Sequence, residues 1–137
     1  MPKSHINKII RAFRSSDKNE GEPVVVDFLP ENGNMFINIH NEIDVGVRNV
    51  KISFNQNLTG ARGRALNDLN VFKNLTYLAA GREIEIFAGR ADHFISMLKN
   101  KKVVVSVSLM LPDNKKTKYS IEHNLSIYTD LPQIINE

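Results

Sequence analysis

Apolar side chains recur at every second position over much of this chain. In the segment Met35 to His40, Met35, Ile37 and Ile39 fall on one side of a period-two ladder, and Asn38 and His40 fall on the other with Phe36. Val50, Ile52 and Phe54 alternate in the same way with Asn49, Lys51 and Ser53, the pattern of a strand buried on one face only. These two strands read as a pair joined through a short polar turn, Asn41 to Gly46. Upstream, Pro23 to Leu29 predicts a first strand whose run of valines implies burial at both faces, or an edge tucked under the N-terminal segment. Asn32-Gly33 follows as a hairpin signal, since both residues tolerate the positive φ that a two-residue turn demands.

In the second half, Ile84 and Ile86 alternate with Glu83 and Glu85, which places the two carboxylates on a solvent face. Val103, Val105, Val107 and Leu109 alternate with Val104, Ser106, Ser108 and Met110 in the strongest strand, expected to be central. Its partner carries Tyr119, Ile121, His123 and Leu125 on one side, across a turn built from Pro112, Asp113 and Asn114. Two stretches depart from this period. Ala91 to Asn100 has helical spacing through Phe94, Met97 and Leu98 and suits a short crossover helix between sheets. Residues 55–74 show no period, which predicts a solvated loop in which Leu69, Val71 and Phe72 supply a short strand or a plug. The total of about seven or eight strands with short turns predicts an all-β, two-sheet antiparallel, immunoglobulin-like sandwich.

The one helical pattern of the first half is Ser4 to Arg14. Ile6, Ile9, Ile10 and Phe13 form an apolar stripe at i, i+3, i+4 and i+7, and Lys3, Lys8, Arg11 and Arg14 take the opposite side. A helix of about 11 residues is marginal alone in water, so the stripe must dock on its own domain, on a partner or on a membrane surface. The domain organisation is therefore an amphipathic helix and polar linker over 1–22, the sandwich over 23–130 and a C-terminal tail over 131–137.

Composition narrows the chemistry. A chain of 137 residues is long enough for one core without staples. It has no cysteine, which excludes disulfides, zinc thiolate sites, iron–sulfur clusters and a cysteine nucleophile. The apolar runs are too short for a transmembrane helix, and the N-terminus lacks the apolar core of a secretory signal, so the sequence points to a cytoplasmic protein. The net charge of +3, from 18 basic and 15 acidic residues, is a weak pointer to a polyanion.

Asn41-Glu42-Ile43-Asp44-Val45-Gly46-Val47-Arg48-Asn49-Val50-Lys51-Ile52 resembles the "N-x-G, then A-x-N-V-x-I/V" signature of immunoglobulin-like domains of the bacterial cell-adhesion-related type. Leu78 to Ile84 resembles their later "L-x-P-G-E" corner, with Ala80 where proline is common and, in the first motif, Ile43 where glycine is. The resemblance covers about Val24 to Tyr128 and implies a non-catalytic accessory domain that mediates contacts.

No catalytic or metal constellation accompanies these strands. The histidines His5, His40, His93 and His123 have no ligand spacing, and the glycine cluster around Arg62 lacks the lysine and hydroxyl of a phosphate loop. The expected function is a protein-interaction or structural module with no cofactor, small-molecule substrate or enzymatic activity. It would dock on a protein partner or on a second copy of itself, through a sheet edge or face and through Ile6, Ile9, Ile10 and Phe13. The alternative is binding of nucleic acid or an acidic membrane surface through Arg62 and Arg64 in loop 60–64 and Lys115, Lys116 and Lys118 in the hairpin 115–118.

Overall fold

A computed structural model describes residues 22–130. The predicted helix Ser4 to Arg14 with its stripe Ile6, Ile9, Ile10 and Phe13, and the tail 131–137, lie outside the described residues. The seven strands found are β1 (Val24–Glu31), β2 (Asn34–Asn41), β3 (Val47–Phe54), β4 (Leu75–Leu78), β5 (Glu83–Arg90), β6 (Lys102–Met110) and β7 (Lys116–Asn124). They make a three-stranded sheet in the order β1-β2-β5 and a four-stranded sheet in the order β4-β3-β6-β7, antiparallel throughout. This is the two-sheet antiparallel sandwich that the alternation predicts.

The alternating positions supply the core. Val24, Val26, Phe28, Met35, Ile37 and Ile39 face inward from one sheet, and Val47, Val50, Ile52, Val103, Val105, Val107 and Leu109 from the other. Each such side chain contributes about 1.5–3 kcal/mol relative to an exposed position. Asn32 and Gly33 both take positive φ (53° and 81°), so β1 and β2 close as the two-residue hairpin their sequence calls for. β6 is central, as its valines predict.

Three expectations are corrected. First, β2 and β3 are not neighbours, because the connection between them crosses from one sheet to the other. The reason is Asn41, which is fully buried at the end of β2. Its Nδ2 donates to the carbonyls of Val45 (2.9 Å), Leu78 (3.1 Å) and Ala79 (3.1 Å), and its Oδ1 accepts from the Ile43 N–H (3.1 Å). One carboxamide thus fastens the β2–β3 crossing to the β4–β5 corner, where Gly81 at φ 70° turns the chain. The segments 41–52 and 78–84 are thus bonded to each other.

Second, residues 55–74 are not a solvated loop. Leu58, Leu66 and Phe72 are buried, and Phe72 plugs the end of the sandwich with its ring edge against Phe54 at 5.0 Å. The plug sits on a short helix, Asn70–Lys73, rather than on a strand. Polar side chains of the same segment close it on itself: Asn67 accepts from the Leu58 N–H and donates to the Gln56 carbonyl. Third, the crossover helix is Ala91–Ser96, which ends before Met97 and leaves that side chain exposed while Phe94, Ile95 and Leu98 are buried.

Replacing Asn41 with alanine removes the donor shared by three carbonyls and strands them at a buried corner. The expected loss is about 2–4 kcal/mol in urea unfolding, above that of an ordinary surface change.

Candidate interaction surfaces

The edges of the two sheets differ in what they offer. β1 is an edge strand by its place in the sheet, yet side chains from β7 of the other sheet occupy its free side. The Tyr119 hydroxyl accepts from the Val24 N–H (2.8 Å) and donates to the Val24 carbonyl (2.6 Å). His123 Nε2 donates to the Val26 carbonyl at 2.8 Å, and its ring stands edge-on to Phe28 at 5.0 Å. A carbonyl can only accept, so this contact fixes the proton on Nε2. β1 is therefore closed to another strand without a main-chain partner on that side. On the opposite flank of the sandwich β4 has only four residues, and β5 carries Glu83 and Glu85, charges that discourage strand addition.

The outward faces differ more. On the three-stranded sheet the register lines up three rows: Val25, His40 and Glu83; Asp27, Asn38 and Glu85; Leu29, Phe36 and Phe87. Asn38 Nδ2 donates to Glu83 Oε2 (3.0 Å), His40 Nδ1 lies 2.8 Å from Glu42 Oε2, and the Phe36 and Phe87 rings meet at 5.8 Å. The face is apolar at two corners and acidic between them.

The outward face of the four-stranded sheet is basic. Tyr77, Arg48, Met110 and Lys116 form one cross-strand row, and Lys51, Ser108 and Lys118 the next. Asn49 makes this possible: at φ 52° it is the extra residue of a bulge, so Arg48 and Lys51 both point outward although they are three apart. A hollow of about 630 Å³ lies among Asn49, Lys51, Asn74, Ser108, Lys116 and Lys118. Arg48 donates to Asn114 Oδ1 at 2.6 Å, and none of Arg48, Lys51, Lys116 and Lys118 pairs with a carboxylate among the described residues. Tyr77, 61% exposed, leans its ring over Gly46, where a Cβ would collide with it.

The two basic clusters read from the sequence are not brought together. Lys115, Lys116 and Lys118 belong to the hairpin end of the four-stranded sheet, whereas the loop with Arg62 and Arg64 leaves β3 at its far end, after Phe54. Arg62, held at φ 59°, borders a shallow cleft with Arg90, Asp92, His93 and Ser96. There Arg90 already grips Asp92 through two hydrogen bonds (3.2 and 3.0 Å), and this pairing holds the Asp92 carboxyl below its usual range. Lys115 sits in the turn itself, its N–H on Asp113 Oδ1 at 3.1 Å. Arg48 and Lys51, which complete the basic face, were hidden in the sequence because the period-two rule puts them on opposite sides. The asparagine between them is the signal that could have revealed the bulge.

His40 and His123, on β2 and β7, make separate contacts with Glu42 and Val26. Among the described residues no group of three or more His, Cys, Asp or Glu side chains could hold a metal ion, and no helix is long and apolar enough to cross a membrane. No family model, curated protein or solved structure matches the chain.

Burial pushes the Tyr119 phenol well above its ordinary pKa, opposed in part by its hydrogen bond with Val24 and reinforced by Glu22. The folded state thus holds a proton that the unfolded phenol releases near pH 10, so this stabilisation is complete below that pH and is lost as pH rises further. The urea midpoint is expected to fall between about pH 9 and 11, and Tyr119→Phe should flatten that fall while costing about 1–2 kcal/mol at neutral pH.

Proposed function

We propose that this chain is a non-catalytic interaction module that docks on an acidic protein surface through the outward face of its four-stranded sheet. The observation that carries the reading is the set of three cations, Lys51, Lys116 and Lys118, gathered around one polar hollow, with Arg48 in the adjoining cross-strand row and none of the four paired with a carboxylate among the described residues. Like charges held this close repel one another, and an anionic partner relieves that repulsion. The row beside the hollow adds Tyr77, Arg48 and Met110, residue types enriched at protein interfaces. A face is favoured over an edge because β1 is closed by Tyr119 and His123 and β4 is short. The resemblance to immunoglobulin-like domains of the bacterial cell-adhesion-related type supports the same reading, that of an accessory domain that works by contact.

The alternative polyanion reading places the same charge on nucleic acid or an anionic membrane. Tyr77 is the one exposed aromatic ring in the basic rows, which leaves little to stack bases on.

Fluorescence anisotropy with a labelled polyglutamate peptide tests the proposal. The wild-type chain is expected to bind with an affinity that falls as salt rises, and Lys51→Glu with Lys118→Glu to weaken binding by about tenfold or more, on the order of 1.4 kcal/mol. Arg62→Ala with Arg64→Ala should leave it unchanged. Equal binding by the Lys51/Lys118 variant, or none by the wild type, would overturn the proposal. Tighter binding of duplex DNA or of anionic vesicles would transfer the face to the alternative.

A further inference from the structure

Of the four sheet edges, β1 is capped by side chains, β4 is short and β5 carries carboxylates, whereas β7 is long and open. It runs nine residues, Lys116–Asn124, with no proline and no shift in its register with β6. The two ends of that ladder fix where its main chain points. The Leu111 N–H donates to the Lys115 carbonyl (3.0 Å) and the Leu125 N–H to the Lys101 carbonyl (2.8 Å), so the odd-numbered residues of β7 are those bonded to β6. Antiparallel strands exchange bonds at every second residue, and Lys116, Lys118, Ser120, Glu122 and Asn124 therefore aim their N–H and C=O groups at the free side. All five residues are exposed, and among the described residues nothing bonds these main-chain groups. The strand is held from behind, where Tyr119 and His123 bond main-chain groups of Val24 and Val26. An edge already fixed in place loses little freedom when another strand joins it.

We propose that β7 pairs with β7 of a second copy of the chain, antiparallel across a two-fold axis at Ser120, joining two four-stranded sheets into one continuous sheet. The edge is its own complement. A two-fold contact sets residue i against j and j against i. With all nine residues overlapped, Lys118 faces Glu122 of the other copy, Lys116 faces Asn124, and Ser120 faces Ser120. Opposed residues of an antiparallel pair share a face and interact, so both Lys–Glu pairs form on the outward side. The same five residues carry the open N–H and C=O groups, and this register gives about ten ladder hydrogen bonds. Sliding one copy by four residues would set Lys118 against Lys118, or Glu122 against Glu122, which opposes it. Lysines on an edge repel most strands, but here the second copy brings the matching carboxylate. Glu122 already holds Lys102 at 3.1 Å, so each carboxylate would lie between two cations. The axis stands normal to the sheet and puts both basic faces on one side of the dimer. Lys118 gains a carboxylate there, while Arg48, Lys51 and Lys116 stay available to an acidic partner.

Sedimentation equilibrium on the full chain tests the proposal. The wild type is expected at twice the chain mass. Lys118→Glu sets Glu against Glu and Glu122→Lys sets Lys against Lys, so each should weaken the dimer by about tenfold or more. Mixed in equal amounts, the two variants restore both Lys–Glu pairs and should recover the dimer. The chain has no cysteine, so Ser120→Cys reports on the axis. Mild oxidation should link it into a disulfide dimer, because the opposed Cα atoms would lie about 5.5 Å apart. Thr76→Cys, exposed on β4, should stay unlinked under the same conditions. A monomeric wild type, a dimer untouched by both charge reversals, variants that fail to reassociate on mixing, or linkage at Thr76→Cys as fast as at Ser120→Cys would each overturn the proposal. Lys51→Glu should leave the dimer intact and Glu122→Lys should leave polyglutamate binding intact, so this inference and the proposed function fail separately.

Discussion

The chain changes sheets three times, and the Asn41 carboxamide holds the first two crossings together, the one between β2 and β3 and the one between β4 and β5. Crossings leave main-chain carbonyls without ladder partners, and a buried unpaired carbonyl is costly. A two-hydrogen donor placed among three acceptors satisfies the corner by sharing. Leucine would fill the space and leave all three carbonyls unmet; aspartate would add a buried charge and no donor. The rest of the sandwich follows from this corner, because it sets which strands face each other and so which valines meet in the core.

A second constraint acts on the flanks. A sandwich of two open sheets has four edges, and this one closes β1 with side chains instead of strands. The Tyr119 hydroxyl and His123 Nε2 reach across from the other sheet and bond main-chain groups of Val24 and Val26. The two sheets also present unlike outward faces, one acidic and buried on its β1–β2 side, the other basic.

Strand positions were legible because side-chain alternation is a local property, written in two or three turns of the pleat. Val103, Val105, Val107 and Leu109 could be assigned inward from their spacing alone, and Asn32-Gly33 announced its turn through backbone chemistry. Sheet membership was not legible, since nothing between Asn41 and Val47 says whether the next strand pairs with the last or crosses over; the decision lies with carbonyls at 78 and 79, distant in sequence. The order in 55–74 was hidden for the same reason. Leu58, Leu66 and Phe72 obey no period because each is an anchor dropped singly into the core. The basic face was half legible. Lys116 and Lys118 announce themselves, whereas Arg48 and Lys51 join them only through the left-handed turn of Asn49. Arg62 and Arg64 looked equivalent to the lysines in composition and proved to lie at the other end of the sheet.

The closure of β1 by β7 has a consequence for biosynthesis. The hydroxyl that caps Val24 belongs to a residue 95 positions downstream. A growing polypeptide therefore exposes its valine-rich first strand, with unmet amides along one side, until nearly the whole sandwich has left the ribosome. That interval is when such a strand pairs most readily with a neighbouring nascent chain.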